Sequence, residues 1–264
     1  MSDRPTTALV TGASSGIGLE LARLLAADGH HVTLTARDRA RLEAVAAELR
    51  QRHGGDAAVI IADLAEPGAP EAIHRQVEAA GRDVAVLVNN AGLGSHGPFA
   101  EADLGRELAI IQVNVTALAH LTGLVLPGMV RRRAGRILNV GSTAAFQPGP
   151  LMATYYASKA FVLSFSEALD AELAGTGVTV TCLCPGPTRT EFQQRAGMAG
   201  VPVASGLPPM MEAAAVARVG YRAMRRGARL AVPGLLNRLA VFSVRLGPRR
   251  LATAVVHEVN RRRT

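Results

Sequence analysis

The stretch Thr11-Gly12-Ala13-Ser14-Ser15-Gly16-Ile17-Gly18 decides the fold. It joins a short apolar run, Thr7–Val10, to a helical pattern that starts at Ile17 and ends near Asp28. Glycine tolerates the backbone angles of a tight strand-to-helix turn, and its missing side chain lets a pyrophosphate approach the main chain. The helix that follows offers unpaired N–H groups and the positive end of its dipole to the same anion. A glycine pattern alone would equally describe an ordinary turn. Its place directly after the first strand is what points to a nucleotide. The spacing is Gly-x3-Gly-x-Gly, not the Gly-x-Gly-x2-Gly of many dinucleotide folds.

Outward from this loop, β-rich runs alternate with longer helical patterns. His31–Thr35 precedes a helix near Arg39–His53, and Ala57–Ala62 precedes one near Pro70–Ala80. Val84–Val88 leads to a long helical stretch, Asp103–Arg133. Arg136–Val140 leads to Tyr155–Gly175, and Val178–Leu183 follows. The alternation predicts an α/β fold: one doubly wound Rossmann-type domain over residues 1–264, with a seven-stranded parallel sheet covered by helices on both faces. The Gly/Pro/Met-rich stretch Gly197–Met211 reads as a loop with a short helix, so residues 191–212 are expected to form a substrate lid and residues 233–264 a basic extension.

The composition narrows the function classes. Nearly half of the 264 residues are apolar, which argues against disorder. Only six residues precede the first strand, too few for a signal peptide, and no apolar run is read as a membrane span. The two cysteines fit a reducing cytosol, so a cytoplasmic protein is expected. Cys182-x-Cys184 has no evident His or Cys partners, so core packing is expected there and no metal. The net charge of +8 is uneven: residues 221–264 hold 11 arginines and one acid, Glu258, whereas residues 1–220 are nearly balanced. That distribution and the few aromatic residues argue against nucleic-acid binding and place one basic surface in the tail.

Of the 29 basic residues, 28 are arginine, and Lys159 is the only lysine. Where charge alone sufficed, arginine served; the surviving lysine marks chemistry that arginine cannot do. It stands four residues after Tyr155, on the same face of a helix. A free tyrosine titrates near ~10, and a neighbouring ammonium favours its phenolate, which suits it to acid/base work at neutral pH. Tyr156 lies about 100° around the helix from Tyr155 and reads as packing or pocket wall.

The glycine loop, Asn89-Asn90-Ala91-Gly92 after the fourth strand, and Tyr155-x3-Lys159 occur together and in order. On these motifs the chain resembles the short-chain dehydrogenase/reductase family from about Thr7 to Glu191. The resemblance implies a nicotinamide-dependent oxidoreductase that moves a hydride between cofactor and a carbonyl or alcohol carbon. It implies Tyr155 as acid/base, Lys159 as its partner and a ribose ligand, and Ser142, 13 residues before Tyr155, as the hydroxyl that orients the carbonyl. The adjacent Thr143 is a weaker candidate for that role. Asn114 would anchor a water in a proton relay, although a polar residue inside a helix can also be satisfied locally. Cofactor contacts are implied at Gly12, Ser14, Ser15, Gly16, Ile17 and Gly18, at Asn90, Ala91 and Gly92, and at Tyr155 and Lys159. Asp63-Leu64 would cradle the adenine, Pro185-Gly186 would lie against the nicotinamide, and Thr188 and Thr190 would contact its carboxamide. A homodimer or homotetramer is implied as well.

Ala36 falls where NAD users of this family carry an acid, and Arg37 follows it. An uncharged residue followed by a guanidinium suits a 2′-phosphate, so NADP(H) is expected over NAD(H); a register slip of two would instead offer Asp38 to a ribose hydroxyl. Leu93–Phe99, Ala144–Thr154 and Phe192–Met211 are the expected pocket segments, with Phe146, Leu151, Met152, Phe192, Met198 and Met210 as apolar lining, which implies an apolar small-molecule substrate. Within the family reading, a 3-oxoacyl thioester is the alternative substrate. His96 reads as a solvated loop residue. In the tail, Leu235, Leu239, Phe242 and Leu246 recur at helical spacing beside Arg238 and Arg245. Such a segment either rests on an anionic membrane or packs on the fold or a neighbouring subunit.

Overall fold

The computed structural model describes residues 6–197 and 210–261. From the N-terminus the elements are β1 (Thr7–Thr11), α1 (Gly16–Ala27), β2 (His31–Ala36), α2 (Arg39–His53), β3 (Ala57–Ile61), α3 (Ala69–Ala79) and β4 (Val84–Asn89). Then come α4 (Leu104–Ile111), a π-helical turn over Gln112–Ala117, α5 (Leu118–Arg132), β5 (Gly135–Val140), α6 (Ala153–Glu172) and β6 (Val178–Leu183). The remainder is β7 (Thr188–Arg189), α7 (Phe192–Arg195), β8 (Met211–Glu212), α8 (Ala213–Arg225), β9 (Leu230–Ala231), α9 (Leu235–Leu246) and α10 (Arg249–Arg261).

The main sheet has seven strands in the order β3-β2-β1-β4-β5-β6-β9, every pairing parallel. Side chains alternate between its two faces as the pleat requires. Ala8 and Val10 of β1, Val86 and Val88 of β4, and Leu138 and Val140 of β5 enter one core with α1, α2 and α8. Leu9, Leu87 and Ile137, one residue out of step, enter the other with α3 and α5. Both faces are therefore covered, which explains why the strands read as apolar runs. Strand order reverses between β1 and β4, and that switch point opens a crevice at the carboxyl ends of the strands. The expected glycine loop and Asn90-Ala91-Gly92 leave the sheet there.

One reading from sequence needs correction. The helix running through Leu104–Arg132 is long and apolar enough to cross a membrane by length and composition, contrary to the expectation that no such run exists. Its Leu118, Leu121, Val125 and Met129 are buried against the sheet, so it serves here as a core helix. The seventh strand, for which the sequence offered a count but no place, is the two-residue β9 after α8.

Candidate active site

The glycine loop takes its shape from backbone constraints. Gly12 and Gly16 sit at φ of 64° and 58°, in the left-handed region. A side chain on Gly18 would stand 2.4 Å from the Gly12 carbonyl and 2.3 Å from Asn90 Nδ2. Asn90 itself donates to the Thr11 and Gly12 carbonyls at 2.9 and 3.1 Å, tying the loop to the end of β4. Thr11 completes the tie: its hydroxyl accepts from Asn90 N and Ala91 N and donates to the Val88 carbonyl. The amide of Asn90 is thus engaged in forming the cradle. Ser15 caps α1 without a side-chain bond, and no acid occupies the first turn, so the helix start is open to an anion. Gly12, Ser15, Gly16 and Ile17 line the cleft. Ser14 and Gly18 shape the turn behind them.

At the other end of this groove, β2 ends at Ala36, the register the sequence implied. Asp38 caps α2 by accepting from Arg41 N at 3.0 Å, which occupies the carboxylate that a slipped register would have offered to ribose. Arg37 and Asp63 meet at 3.5 Å. Asp63 also accepts from Ala65 N, and Leu64 turns inward to the core. A second arginine, Arg41 in the first turn of α2, holds both carboxylate oxygens of Glu191 at 2.8 Å across the groove. Sequence reading passed over it because nothing local distinguishes it from other helix-surface arginines.

The residues expected to carry the chemistry gather around Lys159. Its ammonium is buried and donates to the Val140 carbonyl at 2.8 Å, 5.9 Å from the centre of the Tyr155 ring. Burial lowers its pKa to about 8, with Cys182 and Cys184 pulling the other way, so it stays mostly charged at neutral pH. The hydroxyl of Ser142 accepts from Ala144 N at 3.1 Å, leaving its own proton for an oxygen in the cleft. Asn114 lies in the π-helical turn, a distortion that recurs at functional sites. Its amide clamps Leu93 in both directions, at 2.8 and 3.0 Å, and donates to Ser158 at 2.9 Å. The side chain is therefore a strut that fixes the strand-end loop beside Lys159. The Tyr156 ring lies over Gly149, where a Cβ would stand 2.2 Å from it, and also lines the cleft. Thr143 lines the cleft beside Ser142.

Beyond β6, Pro185, Gly186, Thr188 and Thr190 line the same cleft. Thr188 donates to the Gly186 carbonyl at 2.9 Å, and Thr190 packs against Gly16. Cys182 and Cys184 are buried, with their sulfurs 3.6 Å apart beneath Gly141.

The substrate side departs most from expectation. Met152 and Phe192 line the cleft as expected, with Phe192 5.2 Å from the Tyr155 ring. Phe146 packs instead with Leu118 and Val162, while Leu151, Met210 and the whole of Leu93–Phe99 lie off the lining. Met198 and most of the expected lid lie outside the described residues. The missing wall comes from the tail. Asn237, Val241 and Val244 of α9 and Leu251, Val255 and Val259 of α10 face the cleft, whose volume is about 680 Å³. The tail is pinned at its far end: His96, expected to be solvated, meets the Asn260 carbonyl at 3.0 Å, and Asn260 donates to the Pro150 carbonyl at 2.9 Å. Asn237 brings a buried Oδ1 with no partner among the described residues to Gly186.

The short chain dehydrogenase family model matches residues 6–199. The chain is 40% identical over 185 residues to a very-long-chain 3-oxoacyl-CoA reductase of Phaeosphaeria nodorum, covering 68% of this chain and 54% of that one. It is 40% identical over 184 residues to a protein of the same name from Anas platyrhynchos, covering 67% and 58%. The chain thus spans little more than half the length of these relatives. A solved short-chain dehydrogenase from Sphingobium yanoikuyae in complex with NADPH superposes with a TM-score of 0.81 at 36% identity, over 92% of this chain and 94% of that one. The chain belongs to the short-chain dehydrogenase/reductase family of NAD(P)-dependent oxidoreductases.

Proposed function

We propose that this protein uses NADPH to reduce the carbonyl of a bulky apolar molecule to a secondary alcohol. One observation carries the reading: a single cleft runs from the glycine cradle, past Ser142, Tyr155 and Lys159, into a chamber walled by the apolar faces of α9 and α10. The cofactor fits the residues present. The cradle at Gly12 and Gly16 has no room for side chains, the start of α1 is open to a diphosphate, and the orphaned Oδ1 of Asn237 is an acceptor that a carboxamide N–H would satisfy. Arg37 and Arg41, with no acid at Ala36, support NADPH over NADH.

NADPH held by these residues would supply a hydride for the carbonyl carbon. Ser142 holds the carbonyl oxygen through its free hydroxyl proton, and Tyr155 delivers a proton to that oxygen. The Lys159 ammonium stabilises the phenolate that remains, and its bond to Val140 keeps it from swinging away. The apolar wall excludes water and orients the substrate. A long-chain 3-oxoacyl thioester is the second reading. The names of the two relatives favour it, as does the exposed pair Arg249–Arg250 between the cleft-lining Gly247 and Leu251, where it could meet a phosphate-bearing carrier. The exposed Leu104, Leu108 and Ile111 of α4, one stripe at four- and three-residue spacing, support a homo-oligomer formed on that face.

Cofactor oxidation measured over small polar ketones, bulky alicyclic ketones and a long-chain 3-oxoacyl-CoA, with Tyr155→Phe as control, separates these readings. Turnover of bulky ketones that is lost in Tyr155→Phe is the expected result; turnover confined to small polar carbonyls would overturn the apolar assignment.

A further inference from the structure

The tail helices have two apolar faces, and only one is used. Asn237 and Val241 of α9 turn into the protein. Leu235, Leu236, Leu239 and Phe242 of the same helix stay exposed, Leu235 at 71%. On α10, Leu251, Val255 and Val259 are exposed and also line the cleft, so part of the chamber wall reaches the surface. Arg249 and Arg250, the first residues of α10, are exposed and form no ion pair among the described residues. We propose that the exposed apolar residues of α9 and α10 dock on an anionic phospholipid bilayer, with those side chains in the acyl boundary and Arg249 and Arg250 at the headgroups.

Charge decides between a bilayer and a second copy of the chain. From Leu235 onward the tail carries seven arginines and one acid. Two such net-positive tails brought together would repel, whereas an anionic surface attracts the excess charge. The apolar stripe of α4 has no such excess, since Arg106 and Glu107 flank each other there, which makes it the better face for a homo-oligomer. Exposed leucine and phenylalanine beside arginine, on helices of 12 and 13 residues, is the pattern of a segment that lies in the plane of the interface. Docked in this way, the cleft mouth at Leu251, Val255 and Val259 would open onto the hydrocarbon. The docking does not depend on turnover, so it stands or falls separately from the substrate reading.

The test is co-sedimentation of the whole protein with phosphatidylcholine vesicles and with vesicles containing phosphatidylglycerol, at low and high salt. Binding to the anionic vesicles that weakens with salt is expected. The double variant Leu239→Glu/Phe242→Glu, whose side chains lie outside the cleft lining, is expected to lose at least about tenfold in vesicle partition while its thermal melt is unchanged. Arg249→Ala/Arg250→Ala is expected to bind more weakly and with less salt dependence. Absence of wild-type binding to anionic vesicles overturns the proposal. So does binding that survives Leu239→Glu/Phe242→Glu, and so does a drop in molecular mass of that variant without any vesicle binding by the wild type, which would assign the face to a second copy.

Discussion

The two halves of the cleft are made of different material. The cofactor half is backbone: glycines at left-handed φ, an open helix start, and the ties from Thr11 and Asn90 that leave no space for alternatives. The substrate half is side chains on two amphipathic helices, joined to the rest by apolar contact and by the bonds of Asn260. A backbone cradle rejects nearly every substitution, whereas a wall of valines and leucines accepts changes of shape. The contrast means that mutations on the first half should abolish function and those on the second should redirect it.

The largest effect is expected at the point where the halves meet. Tyr155→Phe removes the proton donor, and Lys159→Arg forces a larger fork into a buried slot fitted to one ammonium. Each should lower kcat by about 10²–10⁴-fold in a cofactor-oxidation assay. Normal activity in Lys159→Arg would mean that the lone lysine is an accident of composition. Next comes Gly18→Val, whose side chain would collide with Gly12 and Asn90. NADPH binding followed by fluorescence should vanish, with a loss of roughly 1–3 kcal/mol in denaturant unfolding. Retained binding would break the claim that the first half is rigid.

Arg37→Ala should weaken NADPH binding about 10- to 100-fold and leave NADH binding nearly unchanged, as titration of both cofactors would report. Equal losses for the two would remove the 2′-phosphate assignment. Lys159→Met probes the cost of the buried charge. The folded pKa of Lys159 is lowered to about 8 from 10.5, so the penalty is fully present below pH 8 and fades as pH rises towards 10.5. The variant should therefore be more stable than the parent at pH 7, by on the order of 1–3 kcal/mol, and should lack the parent's gain above pH 8. A parent and variant with parallel pH profiles would contradict this. The smallest effect is expected in the wall: Val255→Trp should change KM for bulky ketones several-fold while NADPH affinity holds.

These contrasts also explain what could be read in advance. The sheet was legible because strands buried on both faces must be apolar, and the cradle because only glycine fits Gly12, Gly16 and Gly18. The structural task of Asn90 was not legible, since its partner Thr11 lies 79 residues away. Strand β9 has two residues, too few to show alternation. The tail defeated periodicity for a physical reason. Helix α9 turns Asn237, Val241 and Val244 inward, at steps of four and three, and Leu235, Leu239 and Phe242 outward. Sequence reveals both stripes and cannot say which one meets the cleft. The expected lining at Leu93–Phe99 failed because Asn114 draws Leu93 to the core side, leaving His96 to hold the tail.

The bond between His96 and Asn260 joins residues 164 positions apart. A ribosome delivers the cradle, Tyr155 and Lys159 well before it delivers α10. The nascent protein can thus assemble the glycine cradle while its cleft still lacks the α10 wall. The α10 wall of the cleft is therefore completed after the sheet and the cradle, and a chain stopped between Ala231 and Asn260 would keep all seven sheet strands while lacking that wall.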